Sequence, residues 1–176
     1  MAAPQNGTME FARHIATEQG VYGLILVSGL IATASNPGAG SAGTNSLRLF
    51  VLIVVTVSVF WLAHVYSNIV AGHGRADEAG DPRPLRHMIR HAVREARGMV
   101  VATVFPSAAL LLGVFGVLPD RAANWLAMWV CVGALACLGY LAYQRLGVRL
   151  IARIGGALAT ASFGLIIIIA KAIVTH

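Results

Sequence analysis

The chain has 176 residues, 57% of them hydrophobic and 11% charged, with a mean hydropathy of +0.74 and a formal net charge of +6. Soluble domains run at about 45–50% apolar and about 25% charged residues, so the composition excludes an ordinary soluble domain and points to a polytopic membrane protein. The positive charge is arginine apart from Lys171, and the arginines gather in two connecting segments. That pattern fits membrane topology rather than nucleic-acid binding.

The first twenty residues are mixed and polar, without the apolar core and small-residue cleavage site of a signal peptide. A spanning helix needs about 20 mostly apolar residues. Five segments qualify: 17–35, 47–71, 98–118, 122–143 and 148–175. The first is the weakest, because its uncharged core, GVYGLILVSGLIATAS, is short. The period-two alternation of barrel strands is not seen. The expected fold is therefore an all-α transmembrane bundle forming one domain.

The connecting segments give an orientation. The loop after the second span holds Arg75, Arg83, Arg86, Arg90, Arg94 and Arg97, and the turn between the fourth and fifth holds Arg145, Arg149 and Arg153. The remaining loops have only Arg48 and Arg121 near their ends. The positive-inside rule makes the arginine-rich loops cytoplasmic, the amino terminus inside and the carboxyl terminus outside. NPGAGSAGTN, residues 36–45, reads as a flexible outer loop. Trp125, Trp129, Tyr140 and Tyr143 fall where interfacial anchors belong, and Lys171 can snorkel to the outer surface.

The long inner loop predicts a helix over about 82–97. Asp81 suits its cap, and Pro82 and Pro84 its first turn. Leu85, Met88, Ile89, Ala92, Val93 and Ala96 share one face, while Arg86, Arg90 and Arg94 line another. A basic amphipathic helix of this kind lies at the inner membrane surface and takes anionic headgroups, at about 1 kcal/mol per well-placed arginine. The other reading of its apolar face is packing on the bundle or on a neighbouring subunit.

The second span ends in FWLAHVYSN, residues 60–68. At helical spacing Trp61, His64 and Asn68 share a face bordered by Ser67, with His64 roughly 10 Å from the inner end of its helix. A polar stripe of this kind suits a bundle interior or a wet crevice. Intramembrane histidines are candidates for proton binding, and a tryptophan one turn away can constrict a path or hold a cation. The bland reading is a neutral imidazole bonded to a neighbouring helix. A second stripe, Glu10, His14, Glu18 and Tyr22, places Glu18 at the start of the first span as a partner for His64, His14 or a loop arginine. His14, His64, His73, His87 and His91 all fall in the inner half of this topology.

Other signals are weaker. His87, His91 and Glu95 recur at spacings of four, but two histidines do not make a metal site, and no metal or cofactor is expected. Pro106 interrupts the third span beside Thr103 and Ser107, a common kink or a hinge with a freed carbonyl. Cys131 and Cys137, six apart on one helix, point to different faces. Neither metal-ligand spacing nor a P-loop or nucleophile elbow is present, which leans away from an enzyme. Ala152, Gly156, Thr160 and Gly164 make a small-residue strip for close helix packing, within one protomer or between protomers.

FWLAHVYS, taken with VYGLILVSGLI in the first span and the closing IIIIAKAIVTH, resembles a group of small polytopic membrane proteins of high-GC bacteria. The resemblance covers short motifs in three helices and implies no activity. The Trp61–His64 pairing is also similar in its chemistry to the histidine–tryptophan gate of viral proton channels, with a different order and spacing. The function expected from the residues is passive movement of protons or small ions. His64, Trp61, Asn68, Ser67 and Glu18 would form the path, and a homo-oligomer would complete it. The alternative is a non-catalytic membrane scaffold docking a partner or anionic lipid through the basic helix.

Overall fold

The computed structural model describes residues 18–35, 43–72 and 85–174. They form five helices: α1 (Glu18–Ala34), α2 (Thr44–Gly72), α3 (Leu85–Val114), α4 (Asp120–Arg145) and α5 (Leu150–Val174). No strand occurs among the described residues, so the fold is the all-α bundle expected from composition. Helices α2 to α5 are each long and apolar enough to cross a membrane. Helix α1 is a shorter apolar helix of 17 residues, roughly 25 Å at ~1.5 Å per residue. Glu10, His14 and His73 lie outside the described residues.

The basic stretch of the long loop is helical from Leu85, and it runs without a break into the third span as one helix of 30 residues. Its small apolar face explains why. Ala92 and Ala96 are buried against Val65 of α2, with Trp61, Ile69 and Val93 packed beside them. Lying flat on a membrane would give up these contacts. Asp81, Pro82 and Pro84 lie outside the described residues.

The shortest helix, α1, is the hub and touches each of the other four. Gly20, Gly23, Leu24, Val27, Ser28 and Ile31 are its buried residues. A Cβ on Gly23 would stand 3.1 Å from both the side chain and the carbonyl oxygen of Met99, so glycine lets α1 press against α3. Leu49 and Ile53 of α2, Leu110 of α3, and Met128, Cys131 and Leu135 of α4 complete a dry centre. In lipid such a centre is held by van der Waals fit rather than by water exclusion, which puts a premium on small residues at contacts.

The α4–α5 contact shows that premium. A Cβ on Gly139 would overlap the Thr160 hydroxyl and the Gly156 carbonyl oxygen, and one on Gly156 would overlap the Tyr143 ring. Thr160 Oγ1 crosses to donate to the Leu135 carbonyl at 2.8 Å. Gly164 faces Val132 and Leu135. The strip of Gly156, Thr160 and Gly164, with half-buried Ala152 one turn earlier, therefore serves packing within the protomer. The turn joining the two helices closes on Gly147, whose φ of 68° is left-handed and favours glycine.

Two polar clasps fix the end of the bundle where α1 and α3 finish. Asp120, in the first turn of α4, accepts the N–H groups of Gly43 and Ser46 at 3.1 Å each, and also the Ser46 hydroxyl. These are donors at the start of α2, so a carboxylate from another helix acts as its cap. Lys171 of α5 donates to the Ser35 hydroxyl and lies 3.5 Å from the Ile31 carbonyl, at the carbonyl-rich end of α1. Its ammonium is also 5.9 Å from the centre of the Trp125 ring. The lysine read as able to snorkel to the outer surface thus also holds α1 to α5.

Candidate functional site

His64 sits at the opposite end of the bundle, half-buried on the side of α2 that faces α1. Its Nε2 lies 3.0 Å from Gln19 Nε2 and 3.1 Å from Asn68 Nδ2. An amide N–H of either side chain can donate to this nitrogen when it carries no proton. Asn68 reaches it because it lies one turn further along α2. Gln19 reaches it from α1, where it follows Glu18 at the helix start.

Gln19 is the residue that reading the sequence passes over. A glutamine at a helix start looks like an ordinary solvated side chain. The one available hint was its position beside Glu18, which was itself a candidate partner. Glu18 is exposed and lines the same groove as His64, so the two belong to one neighbourhood, but it is the adjacent carboxamide that bonds the ring.

The groove between α1 and α2 has a volume of about 510 Å³. Glu18, Gln19, Tyr22 and His64 supply its polar part, and Ile25, Leu26, Phe60, Ala63 and Met99 its apolar part. A second groove of about 520 Å³ runs on the other side of α2, against α3. Trp61 lines this second groove, with Ser58, Thr103 and Ser107. The stripe read from the sequence is therefore divided: His64 opens toward α1, while Trp61 wedges between α2 and α3. Ser67 is exposed.

In the second groove two of the hydroxyls are turned inward to their own helices. Ser58 Oγ donates to the Val54 carbonyl at 2.7 Å and Thr103 Oγ1 to the Val100 carbonyl at 2.8 Å. Pro106 is buried within α3, which continues through it. Arg86, Arg90 and Arg94 are exposed, away from the buried Ala92 and Ala96. His87 and His91 are exposed too, and no group of three or more metal-ligating side chains occurs among the described residues. Cys131 is buried and Cys137 exposed, on different faces as their spacing requires.

At the clasped end, Asn124 is a buried polar residue that the sequence reading also passes over. It is 2% exposed and lies one turn beyond Asp120.

No family model, no curated protein and no solved structure matches the chain. The candidate site therefore rests on its own geometry. The several long apolar helices are compatible with a multi-pass integral membrane protein.

Proposed function

We propose that the protein passes protons or small cations across a bacterial cytoplasmic membrane, with His64 as the group that takes up and releases the proton. The observation that carries this reading is the His64 nitrogen held by two carboxamides at the edge of an open groove. A carboxamide offers N–H on one side and C=O on the other. Rotating Gln19 or Asn68 about its last bond turns a donor toward the bare nitrogen into an acceptor for an N–H. The same cluster can thus serve both charge states of the ring without moving a helix. Glu18 adds a negative charge at the groove that attracts cations to it.

The dry centre around Leu24, Val27 and Ile31 stands between this cluster and the clasped end. The path is then completed between copies of the chain, along α2. That helix leaves Val55, Val59, Leu62 and Tyr66 exposed, and Ser67 adds a polar group on its surface. Trp61, which packs against both clusters, would be the constriction of such a path. Proton and cation flux into proteoliposomes across pH 5 to 8 tests the reading. Wild type conducts, and His64→Ala loses most of the flux or changes its pH dependence. Absence of flux from folded, reconstituted wild type sinks it.

A second reading is favoured by the exposed arginines of α3. Because Ala92 and Ala96 face α2, the guanidinium groups of Arg86, Arg90 and Arg94 are left for an outside partner. A membrane scaffold gripping anionic headgroups would use them so, with the amino terminus on the same cytoplasmic side. Replacing the three with glutamine should then abolish preference for phosphatidylglycerol vesicles. An unchanged preference removes this reading.

A further inference from the structure

We propose that the groove between α1 and α2 binds one acyl chain of a membrane phospholipid carrying a primary ammonium headgroup, with Glu18 and Gln19 as the headgroup ligands. The groove is graded along its length. Its polar residues, Glu18, Gln19 and Tyr22, come from the first turns of α1, and Ile25 and Leu26 follow deeper along the helix. From Glu18 to Leu26 is roughly 12 Å at ~1.5 Å per residue, most of the ~15 Å hydrocarbon depth of one leaflet. Phe60 and Ala63 of α2 and Met99 of α3 form the facing wall and floor. A volume of about 510 Å³ falls within the ~300–1,000 Å³ of small-molecule sites. A lipid aligned with its leaflet would therefore meet acceptors at its head and hydrocarbon along its tail.

The headgroup follows from charge. Among the described residues, Glu18 is the charged one that lines the groove, and no arginine or lysine joins it there. Gln19 spends its N–H on His64, which leaves its carbonyl oxygen as an acceptor for a donor at the groove. A carboxylate and an amide oxygen suit an ammonium that can donate hydrogen bonds. A quaternary choline cannot donate, and a net anionic head would be repelled by Glu18. The occupant that fits is phosphatidylethanolamine.

The test is lipid retention by the full chain. Protein is reconstituted in vesicles of equal parts phosphatidylethanolamine, phosphatidylcholine and phosphatidylglycerol, extracted gently, and its bound lipid counted by native mass spectrometry. Wild type is expected to keep phosphatidylethanolamine over phosphatidylcholine by about fivefold, the ratio that one net hydrogen bond of about 1 kcal/mol gives. Glu18→Gln, at an exposed position, should bring the ratio close to one. Ala63→Phe, which fills the groove, should reduce retention of that lipid altogether. Equal retention of the two zwitterionic lipids overturns the proposal. So does an enrichment that Glu18→Gln leaves intact, or a preference for phosphatidylglycerol, which would assign the lipid to the arginines. Retention is read without any flux, so this inference and the proton reading can fail separately.

Discussion

Helices α2 and α5 are both peripheral, long and apolar, and each packs chiefly on one neighbour, α2 on α3 and α5 on α4, but the α4–α5 contact and the α1–α2 contact differ in kind. Helix α5 lies flush on α4, with Gly139, Gly156 and Gly164 removing side chains from the contact and Thr160 bonding across it. Helix α2 stands off from α1, and the space between them is a groove bridged by the Gln19–His64 contact. Apolarity does not separate the two cases. Side-chain size does: where α5 presents glycine, α2 presents Phe60 and His64, and α1 presents Tyr22, Ile25 and Leu26. In a bilayer, helices gain little from hiding apolar surface from lipid, so close approach follows small residues. A helix that lacks them leaves room for a ligand, a neighbour or water.

The strongest way to break the contrast is to give α5 the same standoff. Gly139→Leu would place a branched side chain where the Thr160 hydroxyl and the Gly156 carbonyl lie. Overpacking of this kind costs about 3 kcal/mol, read as loss of stability in reversible denaturation from mixed micelles. A loss well under 1 kcal/mol would mean the α4–α5 contact is looser than its glycines indicate. Next comes the clasp at the far end of α2. Asp120→Ala strips the acceptor from the Gly43 and Ser46 N–H groups and should cost about 2 kcal/mol, with faster amide exchange at Ser46. Exchange spreading to His64 would show α2 moving as a rigid rod, and exchange confined to its first turn would show the two ends to be independent. Thr160→Val deletes the bond to the Leu135 carbonyl while keeping most of the shape. Interhelical hydrogen bonds in membranes average about 0.6 kcal/mol, and a loss near that value is expected in the same assay.

The same contrast explains what could be read from the sequence. The spans were legible because apolar length is a local property: four of the five helices start and end within three residues of the expected bounds, while α3 starts 13 residues earlier and ends four residues earlier than the expected 98–118. The small-residue strip of α5 was legible because a period of four is visible along one chain, though its partner Gly139 was not. His64 and Asn68 were legible as neighbours on one helix for the same reason. Contacts between helices far apart in sequence leave no such trace. Gln19 to His64, Asp120 to Ser46 and Lys171 to Ser35 each join polar residues whose partner lies in a distant segment. The continuous course of α3 was hidden for a related reason. Alanines at 92 and 96 suit a membrane surface as well as a helix contact, and only the position of Val65 decides between them.

The smallest expected effect on stability bears most directly on the site. Gln19→Leu removes the α1 donor to His64 while keeping a side chain of similar length at the groove. Asn68 remains, four residues along the same helix, so the ring keeps one donor on Nε2. The bond lies at the edge of the bundle, and stability should fall by no more than about 0.5 kcal/mol. The nitrogen should report the change clearly. With one donor lost, the Nε2 resonance should move downfield, toward the value of a free imine nitrogen. If the resonance does not move, Gln19 does not hold the ring in the membrane, and α2 is free of α1 at this end. If it moves and proton flux changes with it, the carboxamide that bridges the groove also positions the ring that takes up the proton.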